Sequence, residues 1–169
     1  ATAGFTPANI AANQTAVKIA SFSLQAGSTE ALNVNNINII LSGSSTPGVD
    51  YSNLKVTDGQ NPIGYPTLGN NNFSVNYNVP AGTTKTIEVW VDTANATNTK
   101  TIIASSTVSY RGSVSNTPMS VSATAPTMTF ASVSLGTPTL VTSGTLGARY
   151  IIGGSSNTNA TFNFVATNG

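Results

Sequence analysis

Apolar and polar residues alternate along most of this chain, and the alternation limits what it can fold into. Residues 73–79 alternate Phe, Val, Tyr and Val with Ser and Asn, and residues 85–91 repeat the pattern. Successive side chains of a strand point to opposite faces, so these runs predict half-buried strands rather than helices. The Pro-Ala-Gly-Thr sequence at residues 80–83 predicts a turn, which makes the two runs an antiparallel pair.

Further runs of this kind lie at residues 17–26, 32–41, 102–110, 119–125 and 128–135. Within the second of these runs, the apolar positions change from even to odd numbers between Val34 and Ile37, as they do at a β-bulge. Eight or so short strands separated by polar turns predict an all-β fold, an antiparallel Ig-like β-sandwich with a C-terminal strand extension. We place the sandwich at residues 1–135 and the extension at residues 136–169.

The chain carries few of the side chains that catalysis and electrostatic binding need. Charged residues make up 7% of the sequence, against about 25% in an average soluble domain. The chain has no His and no Cys, which excludes imidazole chemistry, thiolate chemistry and Cys/His zinc sites. A net charge of +1 provides no basic surface for nucleic acid. We therefore predict a protein that is not an enzyme, with no cofactor, no metal and no nucleic-acid partner.

Composition also bears on where the protein works. Wholly apolar runs are only a few residues long, so the sequence predicts no membrane insertion. Low charge combined with many Thr and Asn residues is typical of exported β proteins, and we predict an extracellular or cell-surface location. The first residue is Ala1, with no basic and apolar leader behind it, so we expect a chain that is processed or internal to a longer precursor.

Segments near the two ends of the chain resemble each other. Residues 20–26 (ASFSLQA) are similar to residues 160–166 (ATFNFVA), at an offset of 140 residues, and residues 10–12 lie opposite residues 150–152. One interpretation is that any two strands rich in Thr, Ala and Phe look alike. The other is a tandem domain that is cut just after the first strands of its next copy.

The tandem interpretation has a consequence for residues 136–169, which hold apolar runs at 150–152 and 162–166 and no sheet of their own. An isolated two-stranded piece is marginally stable in water, and its unpaired backbone groups need partners. We expect this tail either to fold back on its own domain or to add strands to a neighbouring copy, as in donor-strand assembly. The predicted interface residues in the second case are Tyr150, Ile151, Ile152, Phe162 and Phe164.

Three stretches resemble a known family: residues 21–26 followed by Glu30 and residues 34–39, residues 51–59 (YSNLKVTDG), and residues 79–92 (VPAGTTKTIEVWVD). Together they are similar to the immunoglobulin-like repeats found in tandem in long prokaryotic surface and filament proteins. The resemblance implies a β-sandwich that spaces, adheres or polymerises outside the cell, and it carries no catalytic residues to transfer.

The candidates for a metal site or a carboxylate pair are the five acidic residues, Glu30, Asp50, Asp58, Glu88 and Asp92. Calcium takes six to eight oxygen ligands, often several from one loop, and no Asp-x-Asp or Asp-x-Asn pair occurs around these residues. Glu88 and Asp92 share a strand face but lie about 13 Å apart at roughly 3.3 Å per residue, too far for a glycosidase pair. We expect Asp50 and Asp58 to cap turns and the others to be strand charges.

Trp90 is the single tryptophan, and it lies on the face opposite to Ile87, Val89 and Val91. An aromatic residue on the polar face indicates a subunit contact or a sugar-stacking position, unless a loop covers it. The family resemblance also raises a lysine isopeptide crosslink involving Lys18, for which a solvated Lys18 is the simpler expectation.

The sequence thus predicts a non-enzymatic extracellular structural subunit. It polymerises with copies of itself into a surface filament or array, and its C-terminal segment adds strands to a neighbouring subunit. The alternative is a carbohydrate-binding adhesin module that binds cell-surface glycans through Trp90, Tyr65 or Tyr77. A viral capsid or tail jelly roll shares the composition and stays open as a third hypothesis.

Overall fold

A computed structural model of the chain describes residues 6, 8–59, 61–64, 71–94 and 99–131, together with the backbone of two later strands. The chain divides into two compact units, Ala1–Ser132 and Val133–Gly169. The strands of the first unit are β1 (Asn9–Ala11), β2 (Val17–Gln25), β3 (Leu32–Ser42), β4 (Tyr51–Asp58), β5 (Asn61–Gly64), β6 (Asn72–Val79), β7 (Thr84–Thr93), β8 (Thr101–Gly112), β9 (Pro118–Thr124) and β10 (Met128–Ala131). No helix that is long and apolar enough to span a membrane occurs among the described residues.

Two sheets form the first unit. One has four strands in the order β2-β7-β4-β5, and the other has the order β1-β10-β8-β3-β6, with β9 also paired to β8. All pairs are antiparallel except β1 with β10, which is parallel. The two sheets pack face to face, so the predicted all-β sandwich is confirmed.

The core between the sheets is formed by the apolar face of each strand. In β7, Ile87, Val89 and Val91 are buried while the residues between them are partly exposed, as the alternation predicts. Phe22 of β2 and Phe130 of β10 are buried in the same cluster. Burying one such side chain contributes roughly 1.5–3 kcal/mol, and this packing holds together a chain that has no cysteine.

The predicted β-bulge in β3 is confirmed. The pairing register of β3 shifts between Val34 and Asn36 against both of its neighbours, β6 and β8. Because the extra residue reverses the parity of the strand, Val34 and Ile37 both reach the core although they are three residues apart.

The predicted pairing of residues 73–79 with residues 85–91 is wrong. β6 pairs with β3, whereas β7 lies in the other sheet between β2 and β4. Residues 80–83 do form a turn, with Gly82 at φ 70° and its N–H donating to the Gly27 carbonyl, but the turn carries the chain across the sandwich. Alternation reports which face of a strand is buried and contains no information about its neighbour.

The second unit contains a two-stranded antiparallel sheet of β11 (Thr139–Thr142) and β12 (Phe162–Val165). Phe164 pairs with Leu140 and Phe162 with Thr142. The strand predicted at residues 162–166 is therefore present. The expectation that it has no sheet of its own is wrong, because it pairs with β11. The sequence predicts no strand at the residues of β11. The other predicted strand, residues 150–152, lies outside the described residues.

Candidate functional site

Asp50 is the most buried of the five acidic residues, and it joins two distant parts of the chain. Its carboxylate accepts hydrogen bonds from the Thr46 N–H at 2.7 Å and from the Lys100 ammonium at 3.0 Å. Burial raises the pKa of Asp50, but the Thr46 hydrogen bond and the bond and charge of Lys100 outweigh it, so the pKa is lowered overall. The carboxylate caps the turn as expected. It also forms an ion pair with Lys100 that is buried on the Asp50 side and about one-third exposed on the lysine side, which the sequence did not indicate.

Asp92 and Glu30 hold loops to the sheets. Asp92 accepts hydrogen bonds from the Asn53 side-chain amide at 2.6 Å and the Ala16 N–H at 2.8 Å, and these bonds lower its pKa. Glu30 accepts the N–H groups of Ser115 and Val114, both at 3.0 Å, and the Ser115 hydroxyl at 2.9 Å. The Ser115 backbone bond is the main cause of its lowered pKa. Glu30 is therefore the anchor of the turn between β8 and β9.

The remaining two carboxylates also have partners within the chain. Asp58 accepts the Tyr77 hydroxyl at 2.6 Å and pairs with Lys85 at 3.4 Å. Glu88 pairs with Lys18 at 2.9 Å. No cluster of three or more acidic residues that could hold a metal ion occurs in the part of the chain that the structure describes. All five carboxylates contribute to the packing of loops and strands.

Stability is expected to fall at acid pH. Asp50, Asp92 and Glu30 have folded-state pKa values below their usual ones, so their stabilisation is complete above about pH 5 and is lost as the pH falls through the folded values. With no histidine, the urea midpoint should stay nearly constant from pH 5.5 to 8 and decrease by pH 3. Asp50→Asn should reduce that decrease. An equal midpoint at pH 7 and pH 3 would contradict the assigned hydrogen bonds.

Trp90 lies on the outer face of the four-stranded sheet, as its parity predicts. Its cross-strand neighbours are Lys18 of β2 and Lys55 of β4, and the two ammonium groups lie 5.5 and 5.9 Å from the indole centroid, within cation–π range. The indole N–H donates to the Thr57 hydroxyl at 2.9 Å. Contacts within the chain therefore occupy both the ring and the N–H of this tryptophan.

A chain of polar contacts links three strands through Thr57. Its hydroxyl accepts the Trp90 N–H and lies 3.5 Å from Glu88, which in turn pairs with Lys18. Trp90→Phe keeps the ring between the lysines but removes the N–H donor. We expect this variant to lose about 1 kcal/mol of unfolding free energy, measured by urea denaturation. Combining it with Thr57→Val should cost little more, and a fully additive loss would show that the two groups do not interact.

The two candidate sugar-stacking tyrosines have different outcomes. Tyr77 of β6 is half-buried, and its hydroxyl donates to Asp58; burial and this bond raise its pKa. Tyr65 lies outside the described residues. A shallow depression of about 280 Å³ beside Trp90 is lined by Ala16, Lys55, Thr57 and Gly59.

A second surface of interest is the open side of the sandwich between β2 and β9. β9 pairs with β8 so that Val121 lies opposite Val108 and Met119 opposite Tyr110. Directly opposed residues of an antiparallel pair share a face, yet Val108 is 5% exposed while Val121 is 46% and Met119 56% exposed. The smaller sheet therefore covers the inner face of the larger sheet at β8 but leaves it exposed at β9, the next strand.

The inner face of β9 is exposed because the smaller sheet does not extend over it. β2 is its terminal strand and packs over β8. Among the described strands, none pairs with the outer edge of β2 or of β9. Fully burying a Val or Met side chain contributes roughly 1.5–3 kcal/mol. Covering a half-exposed Val121 or Met119 would therefore add about 1 kcal/mol of stabilisation for each residue. We call this region the open seam.

The open seam contains a small apolar groove of about 50 Å³. Its lining comes from β2 and β7 on one side and from β8 and β9 on the other, and comprises Phe22, Ser23, Leu24, Ile87, Ser106, Val108, Val121, Ser122 and Ala123. Ser106 is 3% exposed, and its hydroxyl has no hydrogen-bond partner among the described residues. A buried hydroxyl without a partner costs about 1–3 kcal/mol, so the groove combines an apolar wall with one unsatisfied donor and acceptor.

Of the six predicted subunit-interface residues, the structure places three. Trp90 lies in β7 on the outer face, and Phe162 and Phe164 are positions of β12. Tyr150, Ile151 and Ile152 lie outside the described residues. Sequence reasoning did not find the open seam, since its residues look like an ordinary strand until the width of the opposing sheet is known.

Comparison with known proteins adds no family to this description. No protein family model matches the sequence, and no curated protein matches it. The function proposed for the chain therefore rests on its composition and geometry.

Proposed function

We propose that this protein is a non-enzymatic structural subunit that polymerises with copies of itself, by adding the C-terminal strands of one subunit to the sandwich of the next. The observation that carries the proposal is the open seam, where β2 of one sheet and β9 of the other have outer edges that pair with none of the described strands, beside an incompletely covered core. Free edges of this kind are templates for pairing with another chain.

The chemistry of the two edges supports assembly. Soluble proteins usually protect an edge strand with charged residues, internal prolines or a bulge. β9 (PMSVSAT) has no charged residue and a proline only at its first position, and its exposed residues include Met119 and Val121. In β2 the only charged side chain is Lys18, near the start of the strand, where it pairs with Glu88. The register of β2 against β7 shifts between Lys18 and Ala20, so this irregularity also lies near the start and leaves residues 20–25 in regular register.

The C-terminal unit supplies a suitable strand. It forms a compact unit of its own around β11 and β12, and a two-stranded sheet is marginally stable by itself. Between residues 133 and 169 the only charged side chain is Arg149, so that adding these strands to another sheet desolvates few charges. The proposed location, outside the cell, rests on the low charge and the high Thr and Asn content of the chain.

Deleting residues 136–169 tests the proposal. We expect the full chain to form a concentration-dependent series of oligomers in sedimentation velocity and filaments by electron microscopy, and the shortened chain to stay monomeric with an unchanged β-sheet circular dichroism spectrum. Replacing Phe162 and Phe164 together by Ser in the full chain should have the same effect, whereas Val49→Ser should not. Normal polymerisation of the shortened chain would reject the proposal.

A carbohydrate-binding adhesin module is the second candidate, favoured by the depression beside Trp90 on the outer face. A sugar stacked on the indole would displace Lys18 or Lys55 from the ring face, and the Lys55 ammonium would then be available as a hydrogen-bond donor. Binding on a glycan array that is lost in Trp90→Ala but retained in Tyr110→Ala would support this function, and no binding on a broad array would reject it.

A further inference from the structure

We infer that the open seam accepts strand β12 of a second copy, which pairs with the free edge of β2 and covers the exposed inner face of β9. This inference rests on the proposed function and names its acceptor site and its donor strand. It follows from the geometry of the sandwich, in which the described smaller sheet ends at β2 and does not extend over β9.

The position of the added strand follows from sheet spacing. Neighbouring strands lie about 4.8 Å apart, and packed sheets about 10 Å apart. β2 covers β8, and β9 is the next strand of the larger sheet. One strand added to the free edge of β2 therefore lies over β9, above Met119, Val121 and Ala123. A strand added to the outer edge of β9 would instead extend the larger sheet and leave these residues uncovered.

The choice of β12 as the donor follows from its similarity to β2. Residues 160–166 (ATFNFVA) match residues 20–26 (ASFSLQA), with Phe162 and Phe164 in the places of Phe22 and Leu24. In β2 these two residues line the groove together with Ser106 and Val108 of β8. A strand with the same pattern, placed beside β2, brings two phenylalanines to the corresponding places over Val121 and Ala123.

The backbone of β2 gives a second reason for a strand occupant. Among the described strands, none pairs with the outer edge of β2, so the N–H and C=O groups along that edge have no strand partner there. A purely apolar ligand would cover Val121 but leave these backbone groups unpaired, whereas an added strand supplies both an apolar face and a ladder of backbone hydrogen bonds. The combination of an apolar wall and an unpaired strand edge suits a polypeptide strand.

The absence of cysteine from the chain allows a direct test. Two single-cysteine chains, Val121→Cys and Phe164→Cys, are each shown to assemble under reducing conditions, then mixed and oxidised. We expect the mixed disulfide dimer at a yield at least tenfold above that of the control pair Val49→Cys and Phe164→Cys. Val49 is 61% exposed and precedes β4, away from the seam. If Phe164→Cys prevents assembly, Phe162→Cys replaces it.

The other outcomes overturn the inference in distinguishable ways. If the chains assemble but the Val121→Cys/Phe164→Cys and Val49→Cys/Phe164→Cys pairs crosslink equally and weakly, β12 does not pack over Val121. The inference then fails, while the proposed function is unaffected. A crosslink that forms within single chains of the double variant Val121→Cys/Phe164→Cys, but not between mixed chains, would show that a chain fills its own seam. Failure of the unmodified chain to assemble at any concentration would reject both the acceptor site and the proposed function.

Discussion

Lys100→Met is expected to lower the free energy of unfolding by about 3 kcal/mol. The lysine neutralises the Asp50 carboxylate, whose side chain is only 4% exposed, across 3.0 Å. Removing it leaves a buried charge whose remaining partner is the Thr46 N–H, so the carboxylate must either stay unpaired or take up a proton. The loss corresponds to a decrease of roughly 10 °C in the melting temperature, measured by differential scanning calorimetry.

Two further variants make this prediction specific. Lys85→Met removes the lysine of a longer and more exposed pair, with Asp58 at 3.4 Å, and should cost less than about 1 kcal/mol. Adding Asp50→Asn to Lys100→Met should restore part of the stability, because the buried charge is removed along with its partner. Equal losses in Lys100→Met and Lys85→Met would show that burial of Asp50 contributes little.

Val121→Lys is expected to abolish assembly while leaving the subunit folded. Val121 is already 46% exposed, so the substitution should change the unfolding free energy by at most about 0.5 kcal/mol. A strand packed over β9 would bury the ammonium group, and we expect assembly at least about 100-fold weaker as a result. Sedimentation velocity at increasing protein concentration measures the effect.

Val49→Lys is the matched control for this variant. It adds the same charge at a valine of similar exposure outside the open seam, so it should assemble like the unmodified chain. If the two variants weaken assembly equally, net charge rather than the seam is responsible.

Local sequence pattern was enough to predict the longer alternating strands and the bulge, but not the short strands β5 and β11. Val34 and Ile37 are both buried because one residue between them shifts the register, and that shift is visible in the sequence as a change of parity. The outward position of Trp90 follows in the same way from the burial of its two neighbours in β7. These features depend on the alternation within one strand.

Features that depend on pairs of distant strands could not be predicted. Lys18 and Lys55 reach Trp90 because β2 and β4 flank β7. From the sequence, the turn at residues 80–83 favoured β6 as the neighbour of β7. The ion pair of Asp50 with Lys100 joins residues 50 positions apart. The open seam depends on where the smaller sheet ends, which no single segment encodes.

Amide hydrogen exchange across β2 tests the central claim most directly. In the shortened chain without residues 136–169, the β2 amides that point away from β7 should exchange rapidly, because no described strand pairs with that edge. In the assembled full chain the same amides should be protected, while those that bond to β7 stay protected in both. Assembly that leaves the outward β2 amides exchanging at the rate of the shortened chain would contradict strand addition at this edge.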